Sequence, residues 1–122
     1  MSEEISRLPP QVQQRLLRLQ QLQQTLQAVL TQKQQLELEL TEVEQALSEL
    51  GNLTENAVIY KSIGSLLVKS KRSKVTTELN ERKELFNMRI SVLGKQEERL
   101  RTQVKDLQTK LQRDLRPISS PP

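Results

Sequence analysis

Histidine and cysteine are both missing from this chain of 122 residues. Their absence removes imidazole general bases, thiolate nucleophiles, disulfides and the nitrogen and sulfur ligands of zinc sites. The side chains left to do chemistry are 15 carboxylates and 19 lysines and arginines. No stretch gathers them into a catalytic cluster, and no Gly-rich loop of the Walker type is present to cradle a nucleotide phosphate. The chemistry expected is therefore recognition: no enzyme activity, no catalytic residues, no metal and no cofactor.

Two groups of residues suit recognition. The first is basic: Lys69, Lys71, Arg72 and Lys74. Release of counterions gives any such cluster some affinity for nucleic acid, yet no aromatic residues interleave with it and no base-reading motif accompanies it. Its expected role is to keep a strand edge soluble, and no nucleic-acid partner is expected. The second group is apolar and sits at the chain ends: Ile5, Leu8 and Val12 at one, Leu115 and Ile118 at the other. Brought together at an open end with no further layer to bury them, these side chains suit weak, unselective apolar contacts. The plainer alternative is that they only staple the end of a helix pair or fray.

The elements that must position these residues are legible from spacing. Leu19, Leu22, Leu26, Val29, Lys33, Leu36, Leu40, Val43, Leu47 and Leu50 fall at alternating steps of three and four. That average of 3.5 residues is the heptad seam of a coiled coil. A second seam runs through Leu79, Lys83, Phe86, Ile90, Leu93, Glu97, Leu100, Val104, Leu107 and Leu111. Lys33, Lys83 and Glu97 interrupt otherwise apolar seams; a polar residue at such a position can fix register at a cost in stability, and the plainer reading, preferred here, is that these long side chains send their charge to water. Pro10 fits a first helical position, where its missing N–H has no intrahelical partner. Gly51 suits the left-handed residue that closes a helix after Leu50, and Pro117 bounds the second helix. Gly94, inside the second seam, should cost about 1 kcal/mol relative to Ala.

Between the seams the period changes. Ala57-Val58-Ile59-Tyr60-Lys61-Ser62-Ile63 and Leu66-Leu67-Val68-Lys69 flank Gly64-Ser65. This reads as a β-hairpin with a type II′ turn, since Gly at the first central position supplies the positive φ that turn needs. The expected layout is a single domain over residues 1–122, with helix 1 at 10–50, the hairpin at 57–69, helix 2 at 73–116 and flexible tips at 1–9 and 117–122. The fold class is mainly α: a long antiparallel coiled-coil helical hairpin with a small β-hairpin at its base, through which it joins an oligomer. A lone two-stranded hairpin is marginal in water, and this one carries apolar residues on both faces. Val58, Ile59, Tyr60, Ile63, Gly64, Leu66, Leu67 and Val68 are therefore the expected oligomer interface.

Composition agrees with long paired helices. The chain is 34% hydrophobic with one Tyr, one Phe and no Trp, too few aromatic residues for an ordinary compact core. Its charge is divided: residues 1–60 carry 4 basic against 8 acidic side chains, residues 61–122 carry 15 against 7. Halves of net charge −4 and +8 attract each other when laid side by side. The 11 Gln from Gln11 to Gln35 coincide with the heptads and read as a neutral solvated helix face rather than a low-complexity tract. The opening Met1-Ser2-Glu3-Glu4 has no signal-peptide character, and no stretch approaches the roughly 18 apolar residues of a membrane span. The expected location is cytoplasmic, with no membrane partner.

The segment Ile59 to Lys69 resembles the hairpin motif of β-type prefoldin subunits. The opening Leu8-Pro9-Pro10-Gln11-Val12-Gln13, the Gln-rich first helix, the Gln96-Glu97 pair and the ending Leu115-Arg116-Pro117 are also similar to archaeal members of that family. The resemblance implies a heterohexamer of two α-type and four β-type subunits on a β-barrel platform. It implies as partners a prefoldin α-type subunit, other β copies, non-native polypeptides held at the coiled-coil tips, and a group II chaperonin that receives them. The rival reading, from the periodicity alone, is a structural or tethering coiled coil without chaperone activity. The hairpin argues against it, because a pure tether needs no strand-forming insert.

Overall fold

The structure, a computed structural model, describes residues 7–116. Four elements follow one another: α1 (Pro10–Gly51), β1 (Ile59–Ile63), β2 (Leu66–Ser70) and α2 (Arg72–Asp114). Mainly α, with one small antiparallel sheet, it has the expected fold class. By packing, the chain divides into a terminal unit (residues up to 32 and from 93) and a hairpin unit (33–92).

The start of α1 follows from Pro9-Pro10. The Pro9 carbonyl accepts the N–H groups of Val12 at 3.0 Å and Gln13 at 3.1 Å, so Pro9 flanks the helix and Pro10 takes its first position. Both helices bury the seams that their spacing specifies. Leu22, Val29, Val43 and Leu50 on α1, and Phe86 and Leu111 on α2, are buried, and the other seam positions are half-buried. Lys33, Lys83 and Glu97 are half-buried too, in keeping with stems laid along the seam.

In the terminal unit, Arg15 pairs with Asp114, which sets the beginning of α1 beside the end of α2 and makes the pair antiparallel. α2 stops at Asp114, two residues short of the expected end. Arg116 precedes Pro117, and the proline ring disfavours helical backbone at the residue before it.

In the hairpin unit, α1 closes in a way its sequence does not announce. Gly51 remains helical, and among the described residues only Gly64 has positive φ. The expected left-handed glycine is therefore not used. The final turn tightens instead, with Asn52 N–H bonding to the Glu49 carbonyl at 3.1 Å and Leu53 N–H to that of Leu50 at 3.2 Å. The Leu50 carbonyl also accepts the Arg72 Nε–H at 2.7 Å. A guanidinium at a helix C-terminus gives that carbonyl a second donor and opposes the negative end of the dipole.

The hairpin is shorter at its start than expected and one residue longer at its end. Ala57 N–H turns back to the Thr54 carbonyl at 3.1 Å, which keeps residues 57 and 58 out of the ladder. β1 and β2 pair antiparallel with Ile63 opposite Leu66, Lys61 opposite Val68 and Ile59 opposite Ser70. Gly64 has φ of 56° and Ser65 is not at positive φ, the signature of a II′ turn.

Candidate functional site

The hairpin interface and the apolar helix ends singled out in the sequence fall in different units. On the hairpin, alternation along each strand and direct cross-strand pairing fix the faces. Ile59, Lys61, Ile63, Leu66, Val68 and Ser70 share one face, and Tyr60, Ser62, Leu67 and Lys69 share the other. The first face looks toward α2, because the Lys61 Nζ donates to Glu78 Oε2 at 2.6 Å. That contact holds the Glu78 carboxyl below its ordinary 4.5. The Lys61 hydrogen bond is the main cause; partial desolvation opposes it, and the charges of Lys61 and Lys74 add to it.

Apolar side chains on both faces are nevertheless left in water. Leu67 is 72% exposed, Leu66 65%, Val58 61% and Tyr60 60%, with Ile63 and Val68 close behind. Only Ile59 is half-buried. Gly64 lies at the turn and contributes backbone rather than side-chain surface. A two-stranded sheet that leaves this much apolar area uncovered is poorly stable by itself, and it can add further strands along its edges.

At the open end of the terminal unit the predicted residues separate. Leu115 follows the last turn of α2 and is exposed. Leu8 is half-buried, and its carbonyl accepts from Gln13 Nε2 at 2.7 Å. Val12 is not an exposed residue: with 6% of its surface accessible, it belongs to the seam, as does Leu111 at 4%. The heptad continues through Val12 toward the start of α1, so the layer taken for the open end is an internal one. Ile5 and Ile118 lie outside the described residues.

Several relevant residues were missed in the sequence. Leu85, Met88 and Val92 are 44%, 67% and 58% exposed on α2, one or two positions away from seam residues. Their spacing of three and four was the available signal. A groove of about 640 Å³ runs beside β1, lined by Lys61, Ser62, Glu78, Leu79, Arg82 and Leu85 among others. Two of the four residues of the basic run are engaged locally: Arg72 caps α1 and the charge of Lys74 acts on Glu78. No described helix is long and apolar enough to cross a membrane.

A family model described as "Prefoldin subunit" matches residues 13–116. The prefoldin subunit beta of Archaeoglobus fulgidus is 49% identical over 110 residues, which covers 90% of this chain and 95% of that protein. The prefoldin subunit beta of Pyrococcus furiosus is 43% identical over 110 residues, 90% of this chain and 94% of its own. Among solved structures, the prefoldin beta subunit from Thermococcus strain KS-1 superposes with a TM-score of 0.83 at 44% identity, covering 90% of this chain and 96% of that one. The beta2 subunit from the same strain gives 0.68 at 25% identity over 75% of this chain and 97% of its own.

Proposed function

The chain belongs to the prefoldin family, and we propose that it acts as a β-type subunit of an ATP-independent holdase, which binds non-native polypeptides and passes them to a group II chaperonin in the cytoplasm. Its partners in this reading are an α-type subunit and further β copies. The observation that carries the reading is the uncovered hairpin: strands of five residues each with apolar side chains exposed on both faces call for strands from other subunits.

Assembly is what makes weak capture effective. Leu115, with Leu8 beside the start of α1 and Ile5 and Ile118 in the chain ends, offers one arm only a small apolar contact. Several arms joined on one platform engage the same unfolded chain together, and the effective concentration of each further contact raises the total affinity by orders of magnitude. Release then needs no nucleotide, in keeping with a sequence that has no phosphate-binding loop.

The test has two arms. The chain mixed with an α-type prefoldin subunit should suppress light scattering by a heat-denatured client without added nucleotide; a tethering coiled coil would leave the scattering unchanged. The double substitution Ile63→Asp and Val68→Asp places charges where strands must add, at a cost of several kcal/mol for an unpaired buried charge. The complex should dissociate with helicity retained. An assembly of unchanged mass would show that the hairpin is not the platform.

A further inference from the structure

Met88 lies two residues from each of the seam positions Phe86 and Ile90, and at about 100° per residue that places it on the side of α2 opposite the seam. Leu85 and Val92, three residues before it and four after, lie on the same side, and all three are exposed. Glu81 and Lys95, each seven residues from Met88, share this side too, because seven residues is just under two turns. Glu81, Leu85, Met88, Val92 and Lys95 thus run in steps of four and three, a short second heptad on the outer side of one unbroken helix. Its two ends carry opposite charges.

We propose that this stripe is a docking surface for a second copy of the chain, whose α2 lies against it antiparallel about a two-fold axis at Met88. Reversing the second helix sets each Glu81 beside the other copy's Lys95, each Leu85 beside the other copy's Val92, and Met88 against Met88. A two-fold contact must be complementary to itself. An apolar centre with an acid at one end and a base at the other meets that requirement. Parallel helices would oppose Glu81 to Glu81 and Lys95 to Lys95, so the charges also select the direction. Nothing else claims them: Glu81 and Lys95 are exposed, and neither is in an ion pair among the described residues.

This contact is separate from the hairpin platform, since it adds no strand and uses no residue of β1 or β2. One feature opposes it. Arg89, one residue past Met88, is exposed and comes near its own copy beside the axis. It stays at the wet flank of the stripe, where solvent and salt screen the repulsion. Three apolar side chains from each copy and a pair of exposed ion pairs make a small interface, and small interfaces hold their partners weakly. The dimer is therefore expected to depend on concentration.

The chain has no native cysteine, so Met88→Cys in the full protein should form a disulfide-linked dimer under a mild oxidant, because the axis brings this residue to its own copy. Leu38→Cys, equally exposed but on α1, should form none. To separate the contact from the platform, the end charges are reversed in a chain that also carries Ile63→Asp and Val68→Asp, which block strand addition. Sedimentation equilibrium of that chain should show monomer and dimer in exchange. Glu81→Lys or Lys95→Glu alone should weaken the dimer roughly tenfold or more, and both in one chain should restore it, with circular dichroism unchanged throughout. A chain that stays monomeric, a double reversal no better than either single one, or a Met88→Cys that cross-links no faster than Leu38→Cys would overturn the contact and leave the platform standing. If Ile63→Asp with Val68→Asp leaves the parent assembly intact, the platform fails instead, and the charge reversals still judge the α2 contact.

Discussion

Arg72 Nε donates to the carbonyl oxygen of Leu50 at 2.7 Å, so the first residue of α2 closes the last turn of α1. The contact spans 22 residues of sequence and fixes the two helices against each other at the hairpin. It also gives the charge asymmetry between the halves of the chain a specific use, because the basic half supplies the cation that the C-terminus of the acidic half favours.

Replacing Arg72 with Ala should destabilise the protein by about 1–2 kcal/mol, the value of a charge-assisted hydrogen bond to a helix end. Arg72→Lys should recover only part of the loss, since an ammonium lacks the planar fork of the guanidinium. Urea unfolding followed by circular dichroism measures both. Equal stability of all three proteins would mean that the tightened backbone turn at Asn52 and Leu53 suffices.

Glu78 should make stability fall in acid. A carboxyl whose folded-state pKa is lowered stabilises the protein above its unfolded value, and that contribution is lost as pH drops through the folded value. For Glu78 the loss begins as pH falls toward 4.5 and completes below it. Glu78→Gln should therefore be less stable than the parent at neutral pH, and the two should converge in acid. Parallel unfolding midpoints at every pH would contradict a role for the Lys61 contact.

Gly94 is a flaw that can be corrected. A Cβ built there meets nothing within 4 Å, and the residue lies inside α2 without positive φ. Gly94→Ala should stabilise by about 1 kcal/mol and raise the melting temperature. A lowered melting temperature would show that the glycine serves a bend.

The helices and their buried faces were legible because a heptad is a local rule: every one of the twenty seam positions, charged residues included, is at least half-buried. The turn was legible for a similar reason, since Gly-Ser between strand formers leaves few alternatives. Gly51 misled because its local preference competes with a cap from Arg72 that only tertiary structure brings near. Val12 misled because exposure at the end of a helix pair depends on which layer is last, and spacing alone does not say. Leu85, Met88 and Val92 lie off the seam, and their exposure depends on what packs beside α2, which spacing alone does not say.

Capture by the chain ends can be tested without disturbing the seams. Removing residues 1–8 and 117–122 together with Leu115→Ser deletes Ile5, Leu8, Ile118 and the exposed Leu115, but leaves Val12 and Leu111 buried. The decisive measurement is suppression of client aggregation by the trimmed and full-length complexes at equal concentration, with native mass confirming equal assembly. The prediction is a sharp loss of protection at unchanged mass and helicity, amplified because several arms must engage one client together. A trimmed complex that protects the denatured client as well as the full chain does would contradict capture at the ends.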